Sequence, residues 1–141
     1  MSDASLLRTF FDTNVLIYTD DLSNFLKQKR ALEVLNQHKL AKTGVLSLQV
    51  LQEYFVTVTR KYGVDPGVAR RKIELFATFD VVEPALSDVL AAVDLHRLRH
   101  LSYWDALIVH TAKQAGCLVV LSEDMQHGQV IDGVRIVNPF L

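Results

Sequence analysis

Short apolar runs alternate with longer stretches of helical period along this chain. Arg8 to Phe11 is a short run that predicts a buried strand. Asn14 to Asp20 predicts a short helix or turn. Ser23 and Asn24 can cap a helix whose apolar face is Phe25, Leu32 and Leu35, with Leu26 beside it. Val45 to Ser47 predicts a second strand, and Leu48 to Tyr62 a helix stopped by Gly63. Asp65-Pro66 is a helix start, with Asp65 as N-cap and Pro66 in the first turn, and that helix runs to about Phe79. Val81-Val82 is a third strand and Leu86 to His100 a further helix. Ser102 caps the next helix, which ends at Gly116. Leu118 to Leu121 and Val134 to Val137 are the fourth and fifth strands, the last broken by Asn138-Pro139. Strands alternating with helices predict an α/β sandwich with a mainly parallel sheet of about five strands. In such folds sites form beyond the carboxyl ends of strands, where this reading puts Asp12 and Asp124.

A chain of 141 residues suits one domain, residues 1–141, with a real core. The formal net charge is −1, so any contact with nucleic acid must rest on local basic patches. Candidates are Lys27, Lys29 and Arg30; Arg60 and Lys61; Arg70, Arg71 and Lys72; and Arg97 with Arg99. Each also reads as a solvated helix face. The single Cys117 cannot close an internal disulfide and reads as a buried thiol, which fits a reducing cytosol. Met1 to Leu7 lacks the basic start and long apolar stretch of a signal peptide. No apolar run approaches the roughly 20 residues that span a bilayer. The expected location is cytoplasmic, away from membranes.

Four carboxylates stand where a carboxylate is hard to justify structurally. Asp12 ends Thr9-Phe10-Phe11, Glu53 interrupts Val50 to Val56, Asp105 lies within Trp104 to Val109, and Asp124 follows Cys117 to Leu121. A carboxylate in apolar surroundings is costly unless paired, hydrogen-bonded or bound to a metal. Each also has a plainer reading. Asp12-Thr13-Asn14 could cap the next helix. Glu53 could share a solvent stripe with Gln49, Thr57 and Arg60, although that stripe could equally be the floor of a cleft. Ser102-Tyr103-Trp104-Asp105 matches a capping box, yet Ile108, Val109 and Ala112 share the helical face of Asp105. Ser122-Glu123-Asp124 could cap a short helix, with Glu123 as the competing acid. One convergent anionic pocket holding Mg²⁺ or Mn²⁺ would account for all four. The set supplies oxygen only, and no His-Cys set at zinc spacing exists. His38, His96, His100, His110 and His127 are scattered and read as surface or packing residues.

Phe10-Phe11-Asp12-Thr13-Asn14, Ser47 to Glu53, Ser102-Tyr103-Trp104-Asp105-Ala106-Leu107-Ile108 and Ser122-Glu123-Asp124, in that order, resemble a PIN-domain ribonuclease. More narrowly they resemble the VapC-type toxins of bacterial type II toxin–antitoxin pairs. The resemblance runs from about residue 8 to Asn138-Pro139-Phe140. It implies a three-layer α/β/α sandwich with Asp12, Glu53, Asp105 and Asp124 meeting at one end of the sheet. Thr13, Asn14 and Ser122 match the positions that assist the site, Asn14 and Ser122 by hydrogen bonding; Ser122 stands where the family often has Thr and keeps the hydroxyl. No acid of the pattern is missing. The resemblance also implies metal-dependent cleavage of RNA to 5′-phosphate and 3′-hydroxyl ends, a small antitoxin that blocks the pocket with a cationic side chain, and a homodimer.

On this expectation Asp12 and Asp105 hold the principal ion with Asp124, directly or through water. Glu53 binds a second ion or orients the attacking water. Two other classes fit less of the chain. An aspartyl-nucleophile phosphatase also places Asp after its first strand, but usually carries a second Asp two residues on, where Asn14 stands. A non-catalytic PIN-like module would act only through its partner, and the complete acidic set argues against it.

Overall fold

A computed structural model describes residues 6–141; the first part of the segment read for a targeting signal, Met1 to Ser5, lies outside the described residues. The strands are β1 (Thr9–Phe11), β2 (Gly44–Ser47), β3 (Asp80–Val82), β4 (Val119–Leu121), β5 (Val130–Ile131) and β6 (Val134–Val137). The helices are α1 (Thr13–Tyr18), α2 (Phe25–Ala41), α3 (Leu48–Arg60), α4 (Pro66–Phe76), α5 (Leu86–Arg99) and α6 (Tyr103–Gln114). They surround one sheet of order β3-β2-β1-β4-β6-β5, parallel except for the final β5–β6 pair.

β1 is central because both its faces are covered. Thr9, Phe10 and Phe11 are all buried, the uniform apolarity expected of an inner parallel strand. From β1 the chain first builds outward through β2 and β3, then returns to add β4 and β6 on the other side. The direction of winding therefore reverses between β1 and β4, and loops leaving their carboxyl ends part there to open a crevice. Asp12 leaves β1 at that point, and Ser122 leaves β4.

Side-chain caps start the helices that matter for the site. Asp12 accepts the Thr13 N–H (2.7 Å), Ser47 accepts the Val50 N–H (3.2 Å), and Ser102 accepts the Asp105 N–H (3.1 Å). Gly63 (φ 67°) and Gly116 (φ 79°) end α3 and α6 in the left-handed region, where a side chain would be strained. Phe11, Leu16, Leu46, Tyr54 and Ile136 anchor the core.

Three details differ from the sequence expectation. The sheet has a sixth strand, since Val130–Ile131 pairs antiparallel with β6 around Asp132-Gly133. Both turn residues have positive φ (50° and 83°), as a two-residue Asp-Gly hairpin requires. Helix α4 stops at Phe76, because Ala77 to Phe79 turn into β3. The apolar face of α2 is Ala31, Val34 and Leu35 together with His38, whereas Phe25, Leu26 and Leu32 are exposed. The helix is mostly polar, so its few buried contacts are set by its docking on α1 and β2 rather than by its largest side chains. Among the described residues, no helix is long and apolar enough to cross a membrane.

Candidate active site

Asp12 is 5 % exposed and is held at the amino end of α1, where the backbone dipoles favour an anion. Its Oδ1 accepts the Thr13 N–H, and its Oδ2 accepts the Ser122 hydroxyl (2.7 Å) and the more distant Asn14 amide (3.4 Å). Burial pushes its carboxyl up to about 6 against the pull of the Ser122 and Thr13 hydrogen bonds, and the charges of Asp124 and Asp105 push the same way. Ser122 is fully buried, and its oxygen also accepts the Asp124 N–H (3.2 Å).

The remaining acids are arranged around this centre. The Asn14 amide donates to Asp124 Oδ2 (3.0 Å) as well as to Asp12, so one side chain spans two carboxylates. Glu53 accepts the Thr13 hydroxyl at Oε2 (2.8 Å) and the Gln49 amide at Oε1 (2.8 Å). Asp105 is half-buried; burial raises its carboxyl, Ser102 lowers it, and the charge of Asp124 raises it further. Mutual repulsion of Asp12, Asp105 and Asp124 means that the three lie within electrostatic reach of one another.

An open cavity of about 470 Å³ is lined by Asp12, Thr13, Asn14, Ile17, Gln52, Glu53, Val56, Thr57 and Asp124. Asp105 is not part of that lining and joins the group through its field. Among the described residues, no three His, Cys, Asp or Glu side chains close into a ready metal-ligand cluster. Three of the acids instead have hydrogen-bond partners: Thr13 and Gln49 for Glu53, Asn14 for Asp124, Ser122 for Asp12. Of the solvent stripe read from the sequence, Glu53 and Thr57 line the cavity, while Gln49 and Arg60 lie outside its lining. The capping box at Ser102 forms only in its forward half among the described hydrogen bonds, from the Asp105 N–H to Ser102.

Glu123 is not a competing acid. Its carboxylate takes Lys27 and the Tyr18 hydroxyl (2.5 Å) as partners. Partial burial raises it, but the Lys27 and Tyr18 hydrogen bonds outweigh that and hold it below the usual range. This pairing removes Lys27 from the free basic residues. Lys72 is likewise engaged by Thr19 and Asp20, and Arg70 by Glu74. Sequence reasoning missed Ile17, Gln52 and Val56 in the lining, because nothing in their residue types signals a site. It also missed the partnership of Lys27 with Glu123, whose signal is spatial alone. The histidines serve other contacts: His38 meets Thr43 and the edge of Phe11, and His110 meets Asp88. Cys117 is a buried free thiol, as expected, and burial pushes it up to about 11.

An acidic crevice thus opens at the switch point of a mainly parallel α/β sheet, with Asp12 and Asp124 just beyond strand ends and Glu53 on α3. The PIN domain profile matches residues 9–131, and the chain belongs to that family. Solved structures share the fold. A chain of a toxin–antitoxin complex from Klebsiella pneumoniae is 22% identical, with TM-score 0.67 over 93% of this chain and 97% of its own. Mycobacterium tuberculosis VapC20, described as a sarcin–ricin loop cleaving toxin, is 19% identical, with TM-score 0.67 over 82% of this chain and 91% of its own. A chain of DNA-bound VapBC from Salmonella typhimurium is 19% identical, with TM-score 0.65 over 93% and 97%. No curated sequence matches the chain.

Proposed function

We propose that this chain is a metal-dependent endoribonuclease and the toxin of a toxin–antitoxin pair. The observation that carries the reading is the convergence of Asp12, Glu53 and Asp124 on one cavity, with Asp105 coupled to two of them by charge. The descriptions of the structural relatives as toxins and toxin–antitoxin complexes support it.

The residues present fit a hard divalent ion. Their donors are all oxygen, no basic side chain among the described residues lines the cavity, and burial together with the charges of Asp124 and Asp105 raises the Asp12 carboxyl, a cost that a bound cation would relieve. Asp12, Asp105 and Asp124 would hold Mg²⁺ or Mn²⁺, with Glu53 at a second ion or on the attacking water. When bound, the ion would lower the pKa of water and neutralise charge on the scissile phosphate. The chain's own part is orientation. Thr13 and Gln49 fix both oxygens of Glu53, Ser122 and the Thr13 N–H fix Asp12, and Asn14 fixes the spacing of Asp124 from Asp12. With the acids so held, RNA would be attacked in line and the P–O3′ bond broken. Arg60 continues the cavity face of α3, seven residues beyond Glu53, and is the basic residue best set to meet the phosphate backbone.

An apolar trough of about 370 Å³, walled by Leu48, Leu51, Phe55, Val56 and Ile73, adjoins the acidic cavity through Gln52 and Val56. That pairing suits an antitoxin segment with an apolar face and a terminal Arg or Lys reaching the carboxylates. A second copy of the chain in a homodimer is part of the same reading. The phosphatase alternative gains nothing, since Asn14 is committed to bridging two carboxylates.

The decisive experiment compares RNA cleavage by the wild-type protein and by Asp12→Asn, each purified to remove contaminating nucleases. Cleavage that EDTA abolishes, and that falls at least 100-fold in the variant, supports the reading (about 3 kcal/mol of barrier). Undiminished cleavage by Asp12→Asn rejects it. If wild type cleaves nothing and binds no Mn²⁺ in a calorimetric titration, the non-catalytic module replaces it.

A further inference from the structure

Glu123 joins the acidic loop to two helices through both its backbone and its side chain. Its N–H donates to the Asn14 Oδ1 (3.2 Å). An amide whose oxygen is so occupied must turn its NH₂ the other way, and the Asn14 Nδ2 indeed reaches Asp124 (3.0 Å) and Asp12 (3.4 Å). The side chain of Glu123 reaches back to Lys27 on α2 and to the Tyr18 hydroxyl at the end of α1. Lys27 also donates to the Tyr18 hydroxyl (3.2 Å), and its ammonium lies 4.8 Å from the Tyr18 ring centre and 5.6 Å from that of Phe140. Phe140 meets Tyr18 edge-on, and Arg30 donates to the Pro139 carbonyl (2.8 Å). The first turns of α2, the end of α1, the acidic loop and the carboxyl-terminal segment therefore meet at one charged group.

We infer that Lys27, Tyr18 and Glu123 form a clamp that positions Asn14, and through it the spacing of Asp12 and Asp124. None of the three touches the cavity, so they are positioning residues. The clamp has a physical rationale. Two carboxylates facing one crevice repel, and a single neutral amide is a weak tie between them. Fixing the amide's orientation from behind keeps its donors on both acids. A cation placed directly in the cavity would instead compete with an incoming ion. Lys27 brings its charge to Glu123, outside the cavity, and keeps the loop closed without occupying the site. The consequence for ion binding rests on the nuclease reading; the effect on Asn14 does not.

The experiment uses the full chain in four variants, Lys27→Met, Lys27→Arg, Glu123→Gln and the Lys27→Met, Glu123→Gln double, with two readouts. The first is the pair of Asn14 side-chain amide protons, assigned by NMR with chelator present. In wild type they should be two dispersed signals protected from solvent exchange; Lys27→Met and Glu123→Gln should collapse them toward free-amide shifts, and Lys27→Arg should retain them. The second is the Mn²⁺ affinity from calorimetry, expected to weaken about tenfold in Lys27→Met and in Glu123→Gln, the loss typical of removing a group that orients a ligand. The Lys27→Met, Glu123→Gln double variant should be no worse than the poorer single one, because both break one contact. Asn14 signals unchanged in both single variants overturn the clamp whatever the ion does. If those signals collapse while wild type itself binds no Mn²⁺, the clamp stands and the nuclease reading falls. Near-native melting temperatures in the variants confirm that any loss is local rather than global unfolding.

Discussion

At the scale of single residues, Asp12 works against folding and for the site. Its carboxyl is raised from near 4, the ordinary value, to about 6, chiefly by burial. Between those two pH values the folded protein holds a proton that the unfolded chain has lost. Stability contributed by the protonated form is therefore complete below pH 4, declines as pH rises through this window, and is gone above about 6. The cost at neutral pH is at most about 3 kcal/mol. Asp12→Asn removes this ionisation while keeping an oxygen for the Thr13 N–H. In metal-free buffer the variant should be more stable than wild type at pH 7 by up to that amount, and the difference should vanish at pH 4. Paired urea titrations across pH 4 to 7 measure it, and the subtraction cancels contributions from other acids such as Glu123. A difference independent of pH would mean that Asp12 does not titrate as its surroundings dictate. The price of a poised functional group is commonly of this kind.

At the scale of elements, α3 has to present Glu53 to the cavity while being gripped from behind. The grip is Tyr54, the neighbour of Glu53. Its ring is fully buried, and its hydroxyl donates to Asp20 Oδ2 (2.5 Å). Lys72 from α4 donates to Asp20 Oδ1 (2.9 Å) and to the Thr19 hydroxyl (2.6 Å). One carboxylate thus ties α3 and α4 to the segment that follows α1. Tyr54→Phe keeps the packing and removes the charge-assisted hydrogen bond, so it should lower unfolding stability by about 1.5 to 3 kcal/mol with an unchanged denaturant slope. Urea unfolding tests this, and a loss under 0.5 kcal/mol would show that Lys72 alone satisfies Asp20. Such ties explain what was and was not legible in the sequence. The caps at Asp12, Ser47, Asp65 and Ser102 are local, so helix starts were readable. Asp12 and Glu53 were readable as anomalies because they end or interrupt apolar runs, whereas Asp124 was separated from Glu123 only by the family resemblance. The burial of α2 was not, since the largest side chains, Phe25 and Leu26, are exposed and smaller Ala31 and Val34 face inward. The two-residue strand β5 was too short for periodicity, although Asp132-Gly133 carried the hairpin signal. The partners of Lys27 and Lys72 lie 96 and 52 residues away, at distances that no spacing rule spans.

At the scale of the whole molecule, an ion held in the acidic crevice, as proposed, would couple its binding to global stability. A ligand that binds only the folded chain stabilises it by RT ln(1 + [L]/Kd), about 2.7 kcal/mol at one hundred times Kd. For a chain of 141 residues each kcal/mol moves the melting temperature by roughly 4 °C. Mn²⁺ at that excess should therefore raise the melting temperature of wild type by about 10 °C. Asp12→Asn should show little shift, having lost the carboxylate placed most centrally among the four. This produces an inversion. In EDTA at pH 7 the variant melts above wild type, because it lacks the buried charge. In excess Mn²⁺ wild type gains while the variant stays put, so the gap closes or reverses. A purely structural acid at position 12 gives neither half of this pattern, and an acid that only repels its neighbours gives the first half alone. Differential scanning calorimetry of both proteins in EDTA and in Mn²⁺ separates these cases. A wild-type melting temperature indifferent to Mn²⁺ would mean that the crevice gathers charge without gathering an ion. The four carboxylates would then need a cationic side chain, such as a partner's Arg, to account for their convergence.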